Sequence, residues 1–179
     1  MLINATGPWA DNTAKNIGGA SCNRRIRLVQ GAHIVTARLF DHDKAYMFQN
    51  RDGRIVFAIP YENSFTLVGT TDTDFSADPL QASAGQAEID YLIAAVNSYF
   101  RQQISSRHVV WSFAGVRALA DSSKGKAQKA SREYLLDVEA DGKTAPLLSV
   151  LGGKITSYRT LAEHVVSEMI ELFPGDARL

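Results

Sequence analysis

The sequence predicts an α+β fold, mostly antiparallel sheet with flanking helices, and three observations carry that expectation. Short runs rich in β-branched and aromatic residues at 45–49, 54–59 and 65–69 follow one another through turns of a few residues, the mark of an antiparallel meander. Two segments, one opening near Ser83 and one closing the chain, repeat apolar residues at helical spacing instead. Strands outnumber helices throughout.

Taken in order, residues 2–5 form a short apolar run stopped by Gly7-Pro8, expected as a buried strand entering a turn. Residues 11–25 are polar and glycine-containing, and read as a loop or short irregular helix. Residues 33–35 are expected as a fourth strand of the meander. Asn50-Arg51-Asp52-Gly53 and Tyr61-Glu62-Asn63-Ser64 supply its two turns. Ser83-x-x-Gln86 reads as a capping box opening a helix with Ile89, Leu92, Ile93, Val96 and Phe100 on one face. Residues 107–116, rich in Val, Trp and Phe, form a long strand, and the Ser/Lys/Gly-rich 121–131 a loop expected to be the most mobile stretch. Residues 133–138 and 147–151 pair around Asp141-Gly142. The last helix carries Tyr158, Leu161, Ala162, Val165, Met169 and Phe173 at helical spacing before Pro174-Gly175.

Composition narrows the function classes. At 179 residues and 45% hydrophobic content the chain can bury a real core and would normally be one domain. With 19 basic against 19 acidic residues it lacks the basic excess of a nucleic-acid-binding surface. The single Cys22 excludes an internal disulfide framework and fits a reducing compartment. No run approaches the roughly 18–20 apolar residues of a membrane span, and the start has no charged leader pattern. One cysteine and four scattered histidines offer no metal-ligand spacing, so no metal site is expected. There is no nucleophile-elbow signature. There is also no Gly-x-Gly-x-x-Gly, the turn that holds a dinucleotide pyrophosphate.

Four positions stand out as candidates. The apolar strand 148–151 runs into Gly152-Gly153-Lys154-Ile155-Thr156 and then directly into helical spacing. Glycines let a backbone approach a ligand closely, and a helix N-terminus offers free N–H groups to an anion or polarised carbonyl; the plainer reading is an ordinary strand–helix connection. Lys154 at that start sits against the helix dipole, so it either reaches solvent or answers an anion. Arg117 ends a strand two residues after Gly115, as a surface ion pair or as a cleft cation. Arg132 follows the loop and begins a strand, as a solvated charge or as one arm, with Lys154, of a phosphate clamp. His33, flanked by apolar residues, is either a structural histidine or a neutral base.

Seven blocks in order resemble FAD-dependent glycerol-3-phosphate dehydrogenase: Asn4-Ala5-Thr6-Gly7-Pro8-Trp9, Gly31-Ala32-His33-Ile34-Val35, Ile55-Val56-Phe57-Ala58-Ile59-Pro60, Gly69-Thr70-Thr71-Asp72, Gly115-Val116-Arg117, Arg132-Glu133-Tyr134 and Gly152-Gly153-Lys154-Ile155-Thr156. The resemblance implies a substrate-binding sheet domain (13–150) inserted in a Rossmann-like FAD domain, of which 1–12 and 151–179 are pieces. It implies an internal fragment of a longer enzyme, inactive alone, oxidising sn-glycerol 3-phosphate to dihydroxyacetone phosphate by hydride transfer to FAD. It further implies electrons passed on to quinone at the cytoplasmic membrane face, and it leaves a homodimer open. Catalytic roles fall on Arg117, Lys154 and His33, and substrate binding on Arg117, Arg132 and Lys154. Flavin contacts fall on Ala5, Thr6, Gly7, Trp9, Gly152, Gly153, Lys154, Ile155 and Thr156. The chain departs from the family where Ala118 replaces the proline after the arginine, where Phe113-Ala114 replaces Tyr-Ser, and where Ala37 replaces a proline beyond the histidine. The rivals are an FAD-dependent amine or amino-acid oxidase and a non-catalytic interaction module.

Overall fold

In the computed structural model, residues 1–18, 26–120 and 131–174 are described. Cys22 and the expected loop segment 121–130 lie outside them. Strands β1 (Leu2–Asn4), β2 (Ile26–Ala37), β3 (Tyr46–Gln49), β4 (Ile55–Tyr61), β5 (Phe65–Gly69), β6 (Thr73–Asp74), β7 (Val109–Ala120), β8 (Tyr134–Glu139) and β9 (Leu147–Gly152) combine with helices α1 (Ala10–Gly18), α2 (Gln86–Tyr99) and α3 (Tyr158–Leu172). The pairs β2–β5, β2–β6, β3–β4, β4–β5 and β8–β9 are antiparallel and β1–β9 is parallel, so the fold is α+β and mostly antiparallel.

The chain forms two compact units, 28–117 and 1–27 with 118–179. The pair β8–β9 joins β1 in a sheet of order β1-β9-β8.

The 28–117 unit is built on a sheet of order β3-β4-β5-β2-β6, with β7 also pairing β2. The alternation in β4 explains its two faces. Val56 and Ala58 are fully buried, whereas Ile55, Phe57 and Ile59 point the other way and stay partly exposed. Ile34, Val56, Ala58 and Val68 of the sheet meet Leu92, Ile93 and Val96 of α2 in one core. Burying each such side chain contributes about 1.5–3 kcal/mol, which fixes the strand register because a one-residue slip would turn the whole set outward. Tyr61 pairs with Phe65, so a three-residue loop, 62–64, joins β4 to β5, with Glu62 and Asn63 at φ 45° and 58°.

The capping of α2 departs from expectation. Gly85, not Ser83, is the N-cap, and the Glu88 carboxylate reaches back to accept from the Gly85 N–H at 3.2 Å. The acidic residue that fits the third helical position is Glu88, which displaces the Ser83/Gln86 pairing.

In the other unit, β1 runs parallel to β9 as an edge strand. In this 179-residue chain Leu2 and Ile3 are about 40% exposed and Asn4 is buried. Asn4 organises the following turn: its Nδ2 donates to the Ala10 carbonyl at 2.9 Å and to Ser149 Oγ at 3.2 Å, and its Oδ1 accepts from Thr6 Oγ1 at 2.7 Å. Where a loop or short irregular helix is expected, residues 10–18 form the helix α1, whose Ala10 and Ala14 are fully buried. Ala10 packs with Ala120 and Leu151, flanked by Ile26 and Leu135. The last helix is more open than its periodicity suggests, with Val165 its buried residue and Tyr158 70% exposed.

Candidate functional site

The first group of site residues lies in the 28–117 unit, where β2 is flanked by β5 and β7. His33 stands opposite Gly69 on β5, and its ring occupies the space a side chain would need: a Cβ at 69 would come within 2.0 Å of His33 Cδ2. On its other side the imidazole stacks on Phe113, centroids 4.9 Å apart and planes 9° apart. Two residues back on the same face of β2, Gly31 leaves room for the Arg117 guanidinium. A Cβ there would meet Arg117 Nη2 at 2.4 Å and Thr70 Oγ1 at 2.6 Å. Gly115, by contrast, has nothing within 4 Å of its missing Cβ among the described residues.

Arg117 is gripped by the segment leaving β5. Nη2 donates to Thr70 Oγ1 at 2.9 Å, and Nη1 donates to the Thr71 carbonyl and to Asp72 Oδ1, each at 3.2 Å. With side chains 27% and 12% exposed, Arg117 and Asp72 form a partly buried ion pair. The structure thus brings His33 and Arg117 into one cluster. Burial, and then the Arg117 charge, lower the His33 pKa below its ordinary 6.5, so the ring is neutral at pH 7. Its Nδ1 is buried with no hydrogen-bond partner among the described residues.

The second group lies in the other unit, at the end of β9. Gly152 and Gly153 adopt φ of 77° and 96°, conformations that side chains resist. Gly152 also lies tight against neighbouring backbone, since a Cβ there would be 2.8 Å from the Glu133 carbonyl and 3.3 Å from the Ala120 nitrogen. The next residues form a 3-10 turn (Ile155–Ser157) leading into α3. Ser157 Oγ ties this turn by accepting from the Lys154 N–H at 3.3 Å and donating to the Lys154 carbonyl at 2.9 Å. The Ile155 and Thr156 N–H groups stand in the first turn, where a helix has no internal acceptor to give them. Ile155 is 89% exposed.

Lys154 Nζ has Glu133 Oε1 at 3.9 Å, both side chains largely exposed, a pairing worth little. Arg132 is exposed in the segment that enters β8. Ala5 is exposed too, and Thr6, Gly7 and Trp9 belong to the turn before α1, with Gly7 at φ 57° and Trp9 39% exposed. Beneath Gly153, Tyr134 shares a hydrogen bond of 2.6 Å with His164 Nδ1.

Sequence reading missed Thr70, Thr71 and Asp72 as functional groups, though their Gly-Thr-Thr-Asp block was visible after a strand. It also missed Glu88, which accepts from Thr71 Oγ1. An open depression of about 640 Å³ is lined by Asn50, Arg51, Asp52, Tyr91, Ala94, Ala95, Ser98 and Tyr99, and none of the candidate residues faces it. Among the described residues there is no group of metal-binding side chains. No described helix is long and apolar enough to cross a membrane.

Comparison with known proteins supplies the frame for these two groups. The family model described as FAD dependent oxidoreductase matches residues 2–159. The aerobic glycerol-3-phosphate dehydrogenase of Escherichia coli K12 is 40% identical over 174 residues, covering 97% of this chain and 35% of that protein. The D-erythritol 1-phosphate dehydrogenase of Brucella abortus is also 40% identical, over 173 residues, 97% of this chain and 34% of that protein. The solved Bacillus halodurans glycerol-3-phosphate dehydrogenase, complexed with FAD, superposes with a TM-score of 0.77 at 29% identity, covering 97% of this chain and 32% of that one. The chain spans about a third of the length of these relatives. With that family model matched along nearly its whole length, the chain belongs to the FAD dependent oxidoreductase family.

Proposed function

We propose that this chain is part of an FAD-dependent dehydrogenase that oxidises the secondary alcohol of a polyol phosphate, sn-glycerol 3-phosphate first among them, to the corresponding ketone. The observation that carries the reading is the pairing of a neutral imidazole with a fixed guanidinium: His33 and Arg117 side by side on adjacent strands. Alcohol oxidation needs a group to take the hydroxyl proton and a cation to hold the oxygen as negative charge builds on it. His33 Nε2 takes that proton, and Arg117 holds the oxygen. Arg132 and Lys154 are assigned to the phosphate on the family resemblance alone, where a planar guanidinium would give bidentate contact.

The second group fits a flavin. Two glycines at positive φ bring bare backbone to the surface, and the open first turn of a helix presents N–H groups there. Gly152, Gly153, Lys154, Ile155 and Thr156, with Ala5, Thr6, Gly7 and Trp9, are the residues that would hold it. When bound, FAD supplies the two-electron acceptor. The backbone N–H groups of the turn would supply preorganised donors able to stabilise negative charge on the bound ring. The pyrophosphate site is not in this chain, which has no Gly-x-Gly-x-x-Gly. Delivery of electrons to quinone, attachment to the cytoplasmic membrane face and a homodimeric assembly rest on the family resemblance alone.

A specific observation favours a second substrate. The D-erythritol 1-phosphate dehydrogenase is as similar to this chain as the glycerol-3-phosphate enzyme, 40% in each case. Both named substrates join a phosphate monoester to a secondary alcohol, and they differ in chain length. The full-length protein, mixed anaerobically with glycerol 3-phosphate, D-erythritol 1-phosphate or an amino acid, separates the readings by loss of visible flavin absorbance. Bleaching by a polyol phosphate is expected, and the faster of the two names the substrate. Bleaching by the amino acid alone would replace this proposal with the amine-oxidase reading.

A further inference from the structure

We infer that Glu88, on the first turn of α2, is a positioning residue that sets the aim of Arg117 without touching substrate or flavin itself. The inference rests on the role proposed above for Arg117. The Glu88 carboxylate collects donors from three separate parts of the 28–117 unit. Oε1 accepts from Thr71 Oγ1 at 2.6 Å and from Thr73 Oγ1 at 3.2 Å, and Oε2 accepts from Gln30 Nε2 at 2.6 Å and from the Gly85 N–H at 3.2 Å. Thr71 is fully buried, and its hydroxyl also accepts from the Ala32 N–H at 2.9 Å. Segment 70–73 is therefore held from behind, by Glu88 and β2. From its front it holds Arg117, through Thr70 Oγ1, the Thr71 carbonyl and Asp72.

The chemistry explains why an acidic residue is needed. Four donors converge, and an ionised carboxylate is the acceptor-only side chain with enough lone pairs for all of them. Charge-assisted bonds to a carboxylate are also the stronger kind. A long arginine side chain has many rotamers of similar energy, so its aim depends on how rigidly its acceptors are held. Ordinary N-capping of α2 would need only the Gly85 contact. The bonds to Thr71, Thr73 and Gln30 have no part in starting a helix, and they are the ones that reach the arginine's cradle. Glutamine at 88 could keep an oxygen toward Gln30 and Gly85, whose donors cannot reverse, and turn its amide toward the two hydroxyls, which can. Alanine loses all four bonds.

The test uses the full-length protein and two independent readings. His33 titration, followed by the ring C–H signals and assigned with His33→Gln, reports the position of the Arg117 charge without requiring turnover. Loosening Arg117 should raise the His33 midpoint toward 6.5 in Glu88→Ala, with a smaller rise in Glu88→Gln. The second reading is kcat/KM on the polyol phosphate that bleaches the flavin. Glu88→Ala should lower it about tenfold in the wild-type background and less than about twofold in an Arg117→Lys background, because residues acting through one another are not additive. An unmoved His33 midpoint in folded Glu88→Ala, or an equal loss in both arginine backgrounds, overturns the inference. If Glu88→Ala does not fold, Glu88→Gln and Thr71→Val carry the same titration test, and no shift in either overturns it equally. If no polyol phosphate reacts at all, the substrate reading fails while the titration still decides the role of Glu88.

Discussion

Arg117 occupies the space that a side chain at Gly31 would fill. A Cβ on residue 31 would stand 2.4 Å from Nη2 and 2.6 Å from Nη1 of the guanidinium. The obstructing atoms are all side-chain ends, the Arg117 guanidinium and the Thr70 hydroxyl at 2.6 Å, so Gly31→Ala need not disturb the sheet backbone. The strand keeps its register, and the guanidinium must leave Thr70. Gly31→Ala in the full-length protein should therefore fall at least about tenfold in kcat/KM with its thermal midpoint nearly unchanged. Steady-state kinetics beside a melting curve check this. A variant with normal turnover would show that the position of Arg117 does not matter to the reaction.

Gly152 is constrained in the opposite way, by backbone. Its φ of 77° and the 2.8 Å approach of a Cβ to the Glu133 carbonyl leave nothing flexible to give way. Gly152→Ala should cost about 1–3 kcal/mol of stability. Gly115→Ala, with nothing within 4 Å, should be close to neutral. Comparing the thermal midpoints of the two variants tests the difference, and equal midpoints would mean that the Gly-Gly turn relaxes freely.

How much of this was legible in the sequence follows from the range of the interactions. The meander was readable because alternation and turn residues are local: the turn at Glu62-Asn63 and the strands it joins lie within a few residues. The final Gly-Gly-Lys turn was readable for the same reason. The cradle of Arg117 was not, since it joins Gly31 of β2, Arg117 of β7 and the Thr70–Asp72 segment between β5 and β6. Glu88 was hidden further because a better-known pattern, Ser83-x-x-Gln86, competes for the same helix start. The regular helix α1 was obscured by its Asn- and Thr-containing sequence, which by propensity favours turns.

His33 links the site to pH. Its folded-state pKa is lowered below 6.5, first by burial and then by Arg117, so the unfolded chain takes up a proton more readily than the folded one. The stability this histidine confers is complete above about pH 6.5 and is lost as pH falls through the folded value. For catalysis the same shift keeps the base neutral, so the acid limb of kcat/KM should lie below pH 6.5. His33→Gln should abolish that limb and flatten the fall in stability. A limb at or above 6.5 would assign it to another group.

The 179-residue chain by itself should fold without retaining FAD. Its 28–117 unit has a continuous core between α2 and the sheet, with Ile34, Val56, Val68, Leu92 and Val96 fully buried. Its other unit has a buried strand in β9, where Leu148 and Leu151 are fully covered. Both units can therefore offset chain entropy with apolar burial. The flavin is a different matter. The Gly152–Thr156 turn can meet only the ring, and the sequence holds no Gly-x-Gly-x-x-Gly for the pyrophosphate, so the adenosine diphosphate half would make none of the family's contacts. Affinity for a ligand of that size depends on the whole of it, because the entropic cost of binding is incurred in full even when half the contacts form. Exposed Ile155, Tyr158, Leu2, Ile3 and Trp9 in the same unit give the chain an apolar surface and a tendency to self-associate. Purified chain, incubated with excess FAD and freed of unbound cofactor, should be colourless in the visible range and elute larger than a monomer. Flavin retained at one per chain would sink the prediction, and would mean that the ring contacts of the Gly-Gly turn suffice to hold the cofactor.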